Sequence, residues 1–526
     1  MDRQEEQLTL WEYIYERKQI KKKVRLIELF AGIGAQAKAL EILKVPFEHY
    51  KICEWAYNSY KAYNSIHIKD FKDYSEGKAK EELIERIKGT STNYNDPLAL
   101  KQLEKKPIEW LKSAYNNCEA THNLINIMEV HGDDLQIVDT KNYEYIMTYS
   151  FPCQDLSLAG KGKGMSVSQK EGGTRSGLLW EVERILDELY EESREREEST
   201  LPQVLLMENV PEVIGTKNIK DFKKWEEKLR KLGYTNYVEI LNAKNYGIPQ
   251  NRRRCFMISI LGEYAYDFPR KFHLKYKLKD LLESNVPEKY YLSKKMLNCF
   301  LSDGTGNFPR KERFLQNLNR PNQDVGNAFT TLAGGRPTDN FVGEEPNDEI
   351  IKLGSYNPSG FASGVVVVPE GIAPAVLENH GTVTAIPIKN ATKQGYLEAE
   401  EGDGVDISSR METHRGTVQK GMAQTITTMG GENVGVVVKK NLRIRKLTPK
   451  ECMRLMGFED KDHKALIEIG LSDAAIYHCA GDSIVTTCLV SILWPLFGLE
   501  KSHLEIIEEY VKNHIIEKGE GEKWKS

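Results

Sequence analysis

The sequence predicts an α/β protein: a doubly wound, mostly parallel sheet carrying a helical insertion and joined to a smaller, irregular β-rich module. Three observations predict it. Short apolar runs alternate with helix-compatible stretches in two separated parts of the chain, the pattern of a sheet covered by helices on both faces. A glycine turn, Gly32-Ile33-Gly34-Ala35, joins the first apolar run to the first helical stretch. From about residue 297 to 440, helical periodicity is lost and Gly, Thr, Val and Asn dominate.

Taken in order, residues 23–29 read as a buried strand, 35–43 as a helix and 49–53 as a second strand ending at Glu54. Residues 70–128 are charged and helix-compatible, broken at Thr90-Ser-Thr-Asn-Tyr-Asn-Asp-Pro97, as expected of a lobe inserted into a surface loop. Strands follow at 143–150, 203–208, 236–242 and 254–260, with helices at 176–192 and 219–232. The charge run at 186–198 reads as the solvated end of a helix. Within the module, Gly-x-Ala segments beginning at Gly326, Gly371 and Gly421 read as short strands beside turns, either a weak repeat or unrelated hairpins. Helical patterning returns at 448–456 and 483–496, and an amphipathic segment at 503–516 precedes a polar tail. The expected domains are 1–295 with 441–500, interrupted by the lobe at 70–128; the module at 296–440; and a C-terminal helix and tail at 501–526.

The 526 residues are 40% hydrophobic and 29% charged, with no apolar run near the roughly 20 residues of a membrane span and no signal-peptide pattern. A soluble, cytoplasmic protein is expected. Eight cysteines (53, 118, 153, 255, 299, 452, 479, 488) are scattered without a CxxC pair, arguing for reduced thiols rather than disulfides or a zinc site. At a net charge of −4, any nucleic-acid surface must be a local basic face.

The residues that carry chemistry stand at the ends of the expected strands, where open α/β sheets place their ligands. Gly32 and Gly34 begin a G-x-G-x-x-A pattern, and Glu54 lies twenty residues beyond Gly34. The pattern fits a nicotinamide dinucleotide, S-adenosylmethionine or simply a tight turn. Phe30 and Trp55 supply aromatic faces for an adenine, and Asp133 a carboxylate for its amino group. Pro152-Cys153-Gln154 presents a thiol behind a residue of fixed φ. Glu208-Asn209 ends another strand, and Pro249-Gln-Asn-Arg-Arg-Arg254 turns three arginines out of a loop, a solvated turn or a phosphate clamp.

In this order, and followed by Arg445-Lys-Leu-Thr-Pro-Lys-Glu-Cys-Met-Arg-Leu-Met-Gly-Phe458 and Gly481-Asp-Ser-Ile-Val485, these motifs closely resemble the DNA cytosine-5 methyltransferase family over most of 24–295 and 441–498. The resemblance implies a Rossmann-like, S-adenosylmethionine-dependent fold with Cys153 as nucleophile, Glu208 as acid, and Arg252 and Arg254 as the pair at the cytosine O2 and adjacent phosphate. It implies that Phe30, Gly32, Gly34, Glu54, Trp55, Asp133, Pro152, Leu178 and Asp482 hold S-adenosylmethionine, with S-adenosylhomocysteine as product and no metal. It further implies a flipped cytosine in double-stranded DNA, a lid at 155–173, and target recognition by the module. A monomer is expected, with a cognate restriction endonuclease as a possible partner and no membrane. Asp482 departs from the family's usual Asn: an acid can accept from the cofactor's ammonium but cannot donate to its carboxylate. The alternatives are an RNA cytosine methyltransferase of the same fold, which usually lacks so large a module, and a catalytically silent DNA-binding relative.

Overall fold

Six strands form the central sheet in the order β2-β1-β3-β4-β7-β5: β1 (Lys23–Leu29), β2 (Phe47–Cys53), β3 (Tyr143–Tyr149), β4 (Val204–Asn209), β5 (Tyr234–Asn242) and β7 (Arg253–Leu261). This is a computed structural model. It describes residues 15–94, 96–152, 156, 175–196, 198–273, 275–290 and 447–516, and only the backbone of short strands between 318 and 446. The first four strands pair in parallel, β7 runs against β4, and β5 runs against β7, so β7 alone is reversed. A tight return makes that reversal possible: β5 turns back through a short strand, β6 (Gln250–Asn251), directly into β7.

The helices, in chain order, are α1 (Ala35–Leu43), α2 (Tyr57–Tyr63), α3 (Lys80–Arg86), α4 (Leu100–Glu104), α5 (Ile108–Ala120), α6 (Leu179–Glu195), α7 (Ile219–Lys231), α8 (Pro449–Leu455), α9 (Asp460–Glu468), α10 (Asp473–Asp482), α11 (Thr486–Leu493) and α12 (His503–Tyr510). Residues 70–128, expected as an inserted lobe, contain α3, α4 and α5 and fall within the first of the two units given below. Helices α6 and α7 cover one sheet face with Val182, Ile185 and Leu189 and with Phe222, Trp225 and Leu229, spaced to form one apolar stripe on each. They meet Ile27 and Leu29 of β1, Tyr145 and Met147 of β3, and Leu205 and Met207 of β4, alternate residues that share a face. On the opposite face α1 packs against α11. The stretch Asp473–Leu496 is long and apolar enough to cross a membrane by composition, but 83% of its apolar 18-residue window is buried inside the protein. It is core, broken into α10 and α11.

The chain divides into two units. The first comprises Met1–Glu283, Asp324–Leu332 and Pro449–Ser526; the second comprises Ser284–Gln323 and Ala333–Thr448. Segment 324–332 belongs to the first because Gly326–Asn327 pairs in parallel with β6. The second unit holds short strand pairings, among them Phe341–Glu344 with Arg443–Lys446 and Ile386–Lys389 with Tyr396–Ala399. The Gly-x-Ala segments beginning at Gly371 and Gly421 lie outside the described residues.

The glycine turn between β1 and α1 shows two different needs for glycine. At Gly32 φ is +56° with open space where a Cβ would stand, so only the backbone conformation asks for glycine. At Gly34, with φ +76°, a Cβ would sit 2.6 Å from both His67 Nε2 and a ring carbon of Tyr63. His67, fully buried, bonds the Ile33 carbonyl at 3.0 Å through Nε2 and Glu41 at 2.7 Å through Nδ1, so it cannot retreat freely. Gly34→Ala should therefore cost about 3 kcal/mol of stability, left-handed strain plus overpacking, against about 1 kcal/mol for Gly32→Ala. Urea denaturation of both variants tests this; equal losses would refute the packing role of Gly34.

Candidate active site

The C-terminal ends of β1, β2, β3 and β4 open onto one cleft with about 1270 Å³ of atom-free space, part of it open to solvent. Its walls are made by strand-end residues and by the last turn of α10.

At the first edge, Glu54 follows β2 and spends both carboxylate oxygens on backbone amides. Oε2 accepts from Gly32 N and Oε1 from Ala56 N, each at 2.8 Å. One side chain thus ties the glycine turn to the start of α2. Phe30 adopts a left-handed φ of 59°, unusual for an aromatic residue, while its amide donates to the Cys53 carbonyl at 2.8 Å. Buried Asn123 clasps the same corner, donating to Glu54 O at 2.9 Å and accepting from Glu54 N at 3.0 Å and Ile125 N at 2.9 Å. That clasp brings Asn126, Ile127 and Met128 onto the cleft wall.

Beyond β3, the backbone entering the cysteine loop is held at two consecutive carbonyls. Asn209 Nδ2 donates to Phe151 O at 2.9 Å, and Ser176 Oγ donates to Pro152 O at 2.7 Å. Pro152 lines the cleft; Cys153 itself, with Gln154 and with residues 155 and 157–173 of the expected lid, lies outside the described residues. Glu208, at the end of β4 and 9% exposed, faces the cleft with Arg254 Nε 3.0 Å from its Oε1. Arg252, 4% exposed, donates Nη2 to the carbonyls of Gly481 at 3.0 Å and Ser483 at 2.8 Å.

Phe30, Gly32, Glu54, Trp55, Pro152, Leu178, Glu208, Arg252, Arg254 and Asp482 therefore share one cleft. Gly34 does not line it; it sits against Tyr63 and His67. Asp133 does not line it either. It is exposed in a short turn, Asp133–Leu135, whose preceding Gly132 is tied to Glu188 of α6. Asn126 occupies the wall instead, delivered by the Asn123 clasp. Sequence reasoning passed over Ser176 and Tyr94, and named Asn209 only as the partner of Glu208 without giving it a role. Among the described residues, no group of three His, Cys, Asp or Glu could hold a metal ion.

A family model for the C-5 cytosine-specific DNA methylase matches residues 101–496. The chain belongs to that family. It is a DNA cytosine-5 methyltransferase, and its relatives are bacterial and phage proteins. It is 39% identical to the orphan methyltransferase M.SssI of Spiroplasma monobiae over 277 residues, 52% of this chain and 68% of that protein. It is 36% identical to the type II methyltransferase M2.ScrFI of Lactococcus lactis subsp. cremoris over 279 residues, 51% and 70% of the two chains. It is 26% identical to the orphan methyltransferase M.SPRI of Bacillus phage SPR over 446 residues, 73% and 90%.

In this methyltransferase two of the three cleft acids, Glu208 and Glu54, are perturbed for different reasons. Burial pushes the Glu208 carboxyl above the usual carboxylate range, and Arg254 and then Arg252 pull it back only in part. Burial pushes Glu54 up to about 7, against its two amide bonds and with help from the nearby Asp482 charge. For an acid with a raised folded pKa, the folded state holds the proton longer, so its contribution to stability is lost as pH rises from about 4.5 to 7. His49, pushed down to about 4 by burial and His67, works in the opposite direction over part of that window, so a difference measurement is needed. Glu54→Gln should gain on the wild type by roughly 2 kcal/mol between pH 5 and pH 8 in urea denaturation. A difference that stays flat with pH would count against a raised Glu54.

Proposed function

We propose that this enzyme methylates C5 of a flipped cytosine within a specific sequence of double-stranded DNA, through a covalent bond between Cys153 and cytosine C6. The observation that carries the reading is the continuity of the cleft: Glu208, Arg254 and the Pro152 entry share it with Glu54, Trp55 and Asp482. A base and a methyl donor can then meet in one enclosure.

The donor set suits S-adenosylmethionine. The Gly32 amide is already given to Glu54, and Asp482 adds a second carboxylate, so the turn offers little to a pyrophosphate anion. Two acids suit ribose hydroxyls and an ammonium group instead. S-adenosylmethionine supplies a methyl group activated by a sulfonium charge and leaves as S-adenosylhomocysteine. Glu54 would accept from the ribose hydroxyls, Phe30 and Trp55 would flank the adenine, and Asp482 would accept from the ammonium. Neither Gly34 nor Asp133 is assigned a contact with it.

On the base, the Cys153 thiolate would add to C6, and the C5–C6 electron pair would shift into the ring toward N3. Glu208, whose hold on a proton burial strengthens, would donate to N3 as that charge develops, and Arg254 would hold the Glu208 carboxyl and face O2. C5 then takes the methyl group as its bond to sulfur breaks, and N3 returns its proton to Glu208. Loss of the C5 proton to water re-forms the C5–C6 double bond and expels the thiolate. The target base must leave the stack for Cys153 to reach C6. The second unit is the proposed reader of the DNA sequence, through major-groove contacts.

Duplex DNA containing 5-fluorocytosine, incubated with enzyme and S-adenosylmethionine, should give a denaturation-resistant protein–DNA adduct that Cys153→Ser abolishes. Glu208→Gln should lower the methylation rate about 10²- to 10⁴-fold. An adduct formed with RNA but with no DNA would refute the DNA assignment. Bisulfite sequencing of exposed genomic DNA would read out the recognition sequence.

A further inference from the structure

The inserted lobe reaches the same cleft. Its segment Thr90–Ser91 lies beside the chain that follows Glu54: Ser91 N donates to Trp55 O at 2.7 Å, Tyr57 N to Ser91 O at 2.9 Å, and Ala56 and Ser91 form a parallel bridge. Three residues on, Tyr94 lines the cleft in a left-handed conformation, φ 61°, that no glycine relieves. Its ring stacks on His478 of α10, centroids 3.5 Å apart and planes 12° from parallel. His478 in turn places Nδ1 2.9 Å from Asp482 Oδ2, one helical turn on, a close approach without hydrogen-bond geometry. Asn58 Nδ2 donates to the Tyr94 hydroxyl at 3.3 Å, fixing the ring's far end. A residue from the 70–128 segment, held in a strained backbone state, thus packs on the imidazole that stands against Asp482.

We propose that Tyr94 is a cofactor-positioning residue, acting through His478 to hold the Asp482 carboxylate toward the cofactor's ammonium group. The proposal rests on the reading of this cleft as the S-adenosylmethionine site. It gives the lobe a function in the reaction: the 70–128 insertion completes the pocket wall that α10 leaves unsupported. It also bears on the acid that stands where the family usually has Asn. A carboxylate 54% exposed would be free to turn into solvent; a ring-braced histidine at its side restrains it.

The test uses the full chain and S-adenosylmethionine binding by calorimetry without DNA. Tyr94→Leu should weaken binding about tenfold and Tyr94→Phe less than twofold, since the stack and not the hydroxyl does the bracing. In turnover, Tyr94→Leu should raise the KM for S-adenosylmethionine about as much, leaving kcat at saturating cofactor and the KM for DNA near wild type. In an Asp482→Ala background, Tyr94→Leu should add no further loss. Additive losses would overturn the proposal, as would Tyr94→Leu binding like wild type or Tyr94→Phe losing as much as Tyr94→Leu. If Tyr94→Leu does not fold, His478→Leu takes its place in the same cycle with the same criteria. A wild-type chain that binds no S-adenosylmethionine would sink the cofactor reading itself, a result distinct from failure of the brace alone.

Discussion

A guanidinium taken out of water must find acceptors, and Arg252 finds two in carbonyls 229 and 231 residues away in the sequence. Those carbonyls, Gly481 and Ser483, stand at the C-terminal end of α10, where the helix dipole also favours a cation. Two residues earlier, buried Gln250 donates to Leu455 O at the end of α8 at 2.7 Å. On the far side of α1, buried Lys38 lies 3.0 Å from Glu459 and 2.9 Å from Asp462 of α9. The C-terminal segment is thereby returned to a sheet begun more than 400 residues before it. Without that return, Asp482 could not stand near Glu54, and the cleft would lack a wall. Arg254, at i+2 along the same run, is free of this structural duty and turns to Glu208.

The same geometry sorts charge along the cleft. Glu208 has a guanidinium at 3.0 Å, yet burial still raises the carboxyl and favours the form that the proposed donation to N3 needs. Glu54 bonds backbone amides, and the Asp482 charge raises it further while His478 lowers it. One end thus carries two guanidinium groups, those of Arg252 and Arg254, and the other two acids, Glu54 and Asp482. On the proposed reading, a cationic methyl donor is favoured at the acidic end, and that attraction weakens once the sulfonium charge is spent.

Much of this was legible in the sequence because its determinants are local. Strands β1, β3, β4 and β7 are apolar runs with clear ends; Glu208 and Glu54 are polar residues placed where an apolar strand stops, and Arg254 stands where one begins. Helices α9 and α10 were not distinguished, because their exposed and buried residues alternate with charges such as Asp462 that are buried in ion pairs. Asp133 looked suitable by residue type, but the chain carries it to a turn beside α6, and Asn123 decides which residues reach the wall through backbone bonds. Gly34 carries the right residue for a different reason, contact with Tyr63 and His67. Tyr94 could not be read at all: its place depends on a stack with a residue 384 positions on, a separation read from the numbers 94 and 478.

A parallel sheet leaves unpaired amides and carbonyls where its strands end, and such groups cannot be buried without partners. In this enzyme the partners are side chains. Glu54 takes two amides, Asn123 bridges a strand end to the next segment, Asn209 and Ser176 hold successive carbonyls, and Arg252 and Gln250 take the ends of two helices. The residues that satisfy the backbone are therefore the ones that shape the cleft. On the proposed reading, alignment at this edge follows from folding itself: the carbonyl of Pro152, immediately before Cys153, is fixed by Ser176, and that of Phe151 by the neighbour of Glu208. Loosening either hold would leave a backbone carbonyl unpaired, at a cost of about 1–3 kcal/mol. Stability and alignment are the same interactions at this edge of the sheet.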